Sequence, residues 1–239
     1  MMPLRDLNPT RRFPIITYGL IAINVIIFLI QLTMPEQQLQ QTFLNQAVVP
    51  ASASAAPFSL ETILDVIRSM FFHGGWEHII GNMLYLYLFG DNIEDRLGAI
   101  PYLLIYFAGG FIAAFAQVII APTSQIPLIG ASGAIAAVLG SYLVMFPGVK
   151  VQGIMPIGRI STMQEMPAWI VLGLWFVLQL FSGFGSLGTN AEYGGGVAFF
   201  AHIGGFIFGV VITLILMRIV PQPPAEDRRQ VLYDRANRE

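Results

Sequence analysis

Six runs of apolar residues, at roughly 15 to 32, 78 to 91, 99 to 120, 131 to 146, 167 to 184 and 197 to 219, constrain this chain more than any other feature. A helix needs about 20 such residues to cross the hydrocarbon of a bilayer, and in lipid every backbone N–H and C=O must be satisfied within the spanning element. The expected architecture is an all-α membrane protein, a bundle of six transmembrane helices over residues 15–219. A polar N-terminal segment, 1–14, and a tail, 220–239, flank it and are expected to be mobile anchors. Composition agrees: 55% of the 239 residues are apolar, 11% are charged and the mean hydropathy is +0.68, far from soluble averages. The first run follows Arg5, Arg11 and Arg12 as a signal peptide would. Because Gln31-Leu32-Thr33-Met34-Pro35 has no small-residue cleavage pattern, we read it as a retained helix.

Charge sets the orientation. With six spans, all but Arg68 of the 12 Lys and Arg fall on one side: Arg5, Arg11, Arg12, Arg96, Lys150, Arg159, Arg218, Arg228, Arg229, Arg235 and Arg238. The positive-inside rule then places both termini in the cytoplasm. The chain contains no cysteine, so disulfides, thiolate metal sites and cysteine nucleophiles are excluded. A net charge of −2 offers nothing to nucleic acid. No internal repeat is evident, which argues against an inverted-repeat transporter. Asn24 and Gln117 are read as interhelical hydrogen bonders.

The first external loop, 33–77, is too long to be a mere connection and should carry its own structure. Leu60, Ile63, Leu64, Ile67, Met70 and Phe71 recur at helical spacing opposite Glu61, Asp65 and Arg68, with Ser59 placed as an N-cap. This predicts an amphipathic helix lying in the outer interface; packing against the bundle is the other reading, and the two are compatible. Gly183, Gly185, Gly188, Gly194, Gly195 and Gly196 loosen the loop before the last span, which could be a lid or an ordinary loop.

Three spans carry residues that converge in depth. The fourth, from Ser132 to the Pro147-Gly148 break, is only about 22 Å long as a helix, against a hydrocarbon core of about 30 Å. If it ends at the cytoplasmic face, Ser132 is recessed below the outer surface. His202 lies about 24 Å from Arg218 at the end of the sixth span, hence at similar depth. His78 and Asn82 share one face of the outer half of the second. Small residues supply lateral proximity: Ser132, Ala136 and Gly140 stripe the fourth helix, and Ala201, Gly205 and Gly209 the sixth. A serine hydroxyl needs a neutral imidazole to remove its proton as it attacks, so Ser132 and His202 form a candidate nucleophile–base dyad. An attacked carbonyl also needs donors for its developing oxyanion. His78, Asn82 and the Ser132 backbone N–H at a helix N-terminus are candidates.

Alone, Gly130-Ala131-Ser132-Gly133 would pass for a helix cap. A histidine inside a membrane is expensive and marks function by default. A metal held by His73, His78 and His202 with Glu77 is the rival, but Glu77-His78 does not form the zinc-protease HExxH pattern. Asp91, the acid within the spans, lies at the opposite end. We therefore expect no metal and no cofactor.

Four motifs in order, His73-Gly74-Gly75-Trp76-Glu77-His78 with Asn82-Met83, Phe89-Gly90-Asp91-Asn92-Ile93-Glu94 with Gly98, Gly130-Ala131-Ser132-Gly133, and Ala201-His202-Ile203-Gly204-Gly205 with Gly209, resemble the rhomboid family of intramembrane serine proteases. The resemblance extends from about Ile15 to Arg218. It implies a six-helix bundle with a short central fourth helix and a water-filled cavity open to the non-cytoplasmic side. It also implies Ser132 as nucleophile, His202 as base without an acidic third member, and His78, Asn82 and the Ser132 backbone as oxyanion hole. The implied activity is hydrolysis of peptide bonds in or near transmembrane segments of protein substrates in the lipid bilayer, most simply the cell membrane. A non-catalytic protein that binds client helices is the alternative. The oligomeric state is not legible. One position departs: some members carry, four residues after the nucleophile, a tyrosine that stacks on the histidine, and here Ala136 stands there.

Overall fold

The computed structural model describes residues 2–157, 160–186 and 198–221. Arg159, Gly188, Gly194, Gly195, Gly196 and the tail arginines Arg228, Arg229, Arg235 and Arg238 lie outside the described residues. In chain order the elements are β1 (Met2–Asp6), α1 (Ile15–Gln31), α2 (Glu36–Gln46), α3 (Pro50–Ala55), α4 (Leu60–Ser69), α5 (Trp76–Leu97), α6 (Ala99–Ile120), α7 (Ser132–Met145), β2 (Lys150–Ile157), β3 (Ile160–Pro167), α8 (Ala168–Ser186) and α9 (Phe199–Ile219).

Helix α7 is the axis. It is apolar on every face, and Ala134 through Tyr142 are all buried, as an all-round apolar helix must be when other helices surround it. Helices α6, α8 and α9 are long and apolar enough to cross a membrane, and their outward residues, among them Ile119, Leu178 and Ile215, are exposed. The chain is an integral membrane protein. Helices α1 and α7 are apolar but shorter, at 17 and 14 residues.

Glycine welds α7 to α9. A Cβ on Gly205 would run into the Gly133 carbonyl, and one on Gly209 into the Ala137 carbonyl. Ser141 Oγ adds a bond across the seam to the Gly209 carbonyl at 3.3 Å. Lipid tails give no hydrophobic drive for helices to associate, so close backbone approach supplies the packing.

Helix α5 runs past its apolar stretch to Leu97 because Asn92, Ile93 and Leu97 are buried. Its Glu94 carboxylate accepts from the backbone N–H groups of Ile16 (2.9 Å) and Thr17 (2.8 Å) and from the Thr17 hydroxyl (2.8 Å). It thereby caps α1, which has no cap of its own at Pro14.

One expectation is corrected. Residues 2–12 are not a free anchor: β1 pairs antiparallel with β2, and β2 with β3, in a three-stranded sheet that the all-α reading lacks. Arg11 Nε also donates to Asp95 at 3.0 Å. The strands are held by ladder bonds and by docking at the foot of the bundle, where Tyr142 Oη (2.9 Å) and Asn92 Nδ2 (2.8 Å) donate to Asp6; no period-2 apolar pattern announces them. Helix α4 is capped by Ser59 as anticipated, with Thr62 N donating to Ser59 Oγ at 3.1 Å. It buries Thr62, Val66 and Ser69, while Leu60 and Leu64 face outward. Beside lipid, small and polar residues are the ones that gain from facing protein. Asn24, for its part, donates within its own helix, to the Leu20 carbonyl at 2.8 Å.

Candidate active site

The N-terminus of α7 is reached through an irregular segment that the first loop pins in place. Ser69 accepts the Val48 N–H on its hydroxyl (2.8 Å) and the Gly130 N–H on its carbonyl (2.8 Å), and Leu128 N donates to the Val48 carbonyl (2.7 Å). Gly130 takes φ +116°, and a Cβ there would sit 2.5 Å from His78 Nε2 and 3.5 Å from Asn82 Nδ2. The position needs glycine on both counts. Ser132 then opens the helix, where the first-turn N–H groups have no intrahelical acceptor.

His202, on α9, faces Ser132 across the seam, with Nε2 and Oγ 2.7 Å apart. That is hydrogen-bond distance with good reach for proton transfer. His78 and Asn82 line the same cavity, of about 900 Å³, together with Trp76, Gly130, Ser132 and His202. The Gly74 N–H lies 3.4 Å from His78 Nδ1, which leaves the Nε2 edge to face Gly130. Asn82 is 93% buried, yet its Nδ2 has no partner among the described residues. A buried amide donor without an acceptor is costly, and this one borders the cavity. The structure thus gathers all four candidate side chains at one place.

His73 belongs to the scaffold. Its backbone is clamped to α1 by a reciprocal pair with Gln31, Nε2 to the His73 carbonyl at 2.9 Å and His73 N–H to Oε1 at 3.1 Å. Its ring meets that of His78 edge-on at 5.1 Å. Burial, and then the neighbouring His78, push its pKa down to about 4, so it stays neutral.

Ala136 is fully buried in the α7–α9 seam, where a larger side chain would hold Gly205 away. The aromatic neighbour of His202 comes instead from α8: the Trp175 ring lies 5.9 Å away at 36°. Gln179, one turn further along α8, places Oε1 2.8 Å from His202 Nδ1. Neither residue was singled out from the sequence. The available signal was an amide within an otherwise apolar run, four residues after a tryptophan.

The model of the Rhomboid domain family matches residues 61–219, two thirds of the sequence, a range that includes His78, Asn82, Ser132 and His202. The chain belongs to the rhomboid family. Among curated rhomboid proteins, it is 26% identical over 210 residues to Rhomboid protein 1, mitochondrial, of Saccharomyces cerevisiae, an alignment covering 86% of this chain and 54% of that one. It is 32% identical over 80 residues to the Putative rhomboid protease YdcA of Bacillus subtilis, covering 34% of this chain and 40% of that one. With Rhomboid-related protein 2 of Mus musculus it shares 30% identity over 105 residues, covering 44% and 34%. These alignments span at most about half the length of each relative. What any rhomboid chain can do chemically depends on its cavity, and here a hydroxyl, an imidazole and an amide donor without a partner among the described residues line a common space.

Proposed function

We propose that this rhomboid is an intramembrane serine protease that hydrolyses peptide bonds in or near transmembrane segments of other membrane proteins. The observation that carries the reading is the 2.7 Å contact between Ser132 Oγ and His202 Nε2 in a cavity bordered by an unpaired amide donor. Ser132 Oγ attacks the scissile carbonyl carbon as His202 Nε2 takes its proton. The oxyanion accepts from Asn82 Nδ2, His78 Nε2–H and the Ser132 N–H. Collapse breaks the C–N bond, and His202 returns the proton to the leaving nitrogen. Water, deprotonated by His202, then attacks the ester carbon; the bond to Ser132 Oγ breaks, His202 returns the proton to Oγ, and the acyl group leaves as a carboxylic acid. Helical carbonyls are bonded and shielded, so the substrate must unwind locally before attack.

In this reading residues 15–219 form the protease domain with six spans, α1 and α5 through α9, in the cell membrane. Both termini are cytoplasmic and the cavity opens to the opposite side; the Lys and Arg distribution supports that orientation. The competing reading is a non-catalytic binder of client helices. A fluorophosphonate probe separates them: it should label purified wild type at Ser132 and fail to label Ser132→Ala and His202→Ala. Cleavage of a model transmembrane substrate by Ser132→Ala would overturn the mechanism, and loss of turnover on chelation would favour a metal.

A further inference from the structure

We infer that Gln179 is a positioning residue that fixes the tautomer and ring orientation of His202, the third member of the site; the inference rests on the dyad reading above. A neutral imidazole carries its proton on one nitrogen or the other, and as a base toward Ser132 it must keep Nε2 free and hold the proton on Nδ1. Gln179 Oε1 stands 2.8 Å from that nitrogen, an acceptor where the productive tautomer has its N–H. Once Nε2 takes the serine proton the ring is a donor at both nitrogens. The amide oxygen serves this imidazolium, while the amide NH2 in its place would oppose it.

The surrounding packing leaves this task to α8. On the α7 side the backbones are too close for a polar side chain to enter, because Ala136 and Gly205 fill the seam. On the α8 side Trp175 and Gln179 are four residues apart and so share a face, and both reach the His202 ring. That face is registered against α9 by Phe206, which stacks on Phe176 at 4.5 Å and meets Trp175 at 5.9 Å. A carboxylate holds the corresponding nitrogen in soluble serine proteases. Within a membrane an ionised side chain is costly, and a neutral amide orients the ring without adding a charge.

The test compares Gln179→Met, which keeps the length but removes the acceptor, with Gln179→Glu, which keeps an acceptor. For Gln179→Met we expect kcat on a transmembrane substrate to fall roughly 10- to 100-fold, the scale of one lost hydrogen bond to a charged group, with KM within about twofold. Gln179→Glu should recover most of kcat. The 15N spectrum of protein labelled at its three histidines should show neutral His202 protonated at Nδ1, and a tautomer mixture in Gln179→Met. Unchanged kcat and spectrum in Gln179→Met, or protonation at Nε2 in wild type, overturns the inference; so does a Gln179→Glu variant as impaired as Gln179→Met, because an acceptor at this place would then not be what His202 requires. A wild type inert to substrate and fluorophosphonate, yet showing the Nδ1–H signal and losing it in Gln179→Met, refutes the protease reading and supports the tautomer assignment.

Discussion

His202 is held from two sides that differ in kind. Toward α7 the contact is backbone on backbone: Gly205 and Gly209 lie against the carbonyls of Gly133 and Ala137, and α7 is buried for most of its length. Toward α8 the contact is made by side chains, Trp175, Phe176 and Gln179. The rest of α8 is largely outward, with Leu174, Leu178, Phe181 and Phe184 exposed. The seam therefore sets where the histidine is, and the side-chain wall sets which way its ring points. Damage to the first should appear as lost fold, damage to the second as lost chemistry in a folded protein.

The largest effect belongs to the seam. Gly209→Val adds three carbons where even one would collide with the Ala137 backbone. Backbone cannot yield as a flexible side chain can, so the cost should exceed the 1 to 3 kcal/mol of ordinary overpacking. We expect little folded protein in detergent and no fluorophosphonate labelling. A stable, active Gly209→Val protein would break the distinction between the two sides.

Next in size is Trp175→Ala on the α8 wall. It removes the ring against His202 and Phe206, and aromatic pairs are worth about 0.5 to 1.5 kcal/mol beyond their burial. We expect kcat to fall about tenfold with Tm lowered by only a few degrees. A collapse of Tm comparable to that of Gly209→Val would show that α8 holds the fold as firmly as the seam does.

The same contrast explains what could be read in the sequence. Helices in lipid must be long, apolar and internally bonded, so α6, α8 and α9 stand out as runs. The α7–α9 seam was legible because Ser132, Ala136 and Gly140 on one helix and Ala201, Gly205 and Gly209 on the other recur at a fixed spacing, and close approach requires small residues. The side-chain wall left a fainter trace. Gln179 looks no different in sequence from Gln117, whose Oε1 is buried without a partner among the described residues. Only the rotation of α8 about its axis decides that one amide meets an imidazole and the other does not. The apolar stripe of α4 left a related choice open: it marks a face without saying whether protein or lipid covers it, and in the structure Leu60 and Leu64 are exposed while Met70 is buried. The pairing of β1 with β2 joins residues about 150 apart, which no local pattern records, whereas β2 and β3 pair locally, from Lys150 with Pro167 to Ile157 with Ile160.

The smallest effect tests the seam helix from its other end. Asp6, on β1, accepts from Tyr142 of α7 and Asn92 of α5. Its pKa, ordinarily 3.8, is raised to about 7, chiefly by burial and then by the Asp91 carboxylate, against the hydrogen bonds from Tyr142 and Asn92 that lower it. Between those two values the folded chain keeps a proton that the unfolded chain releases. The stabilisation is complete below pH 3.8 and is lost as pH rises to about 7; above that, folding buries an ionised carboxylate. Asp6→Asn keeps an oxygen acceptor and removes the titration. The Tm of the variant minus that of wild type should therefore grow from pH 4 to pH 8, reaching a few degrees. Because the seam fixes the site end of α7 independently of its foot, kcat should be the same in both proteins. A kcat that followed the protonation of Asp6 would mean that α7 transmits strain along its length, and that the seam is less rigid than its backbone contacts imply.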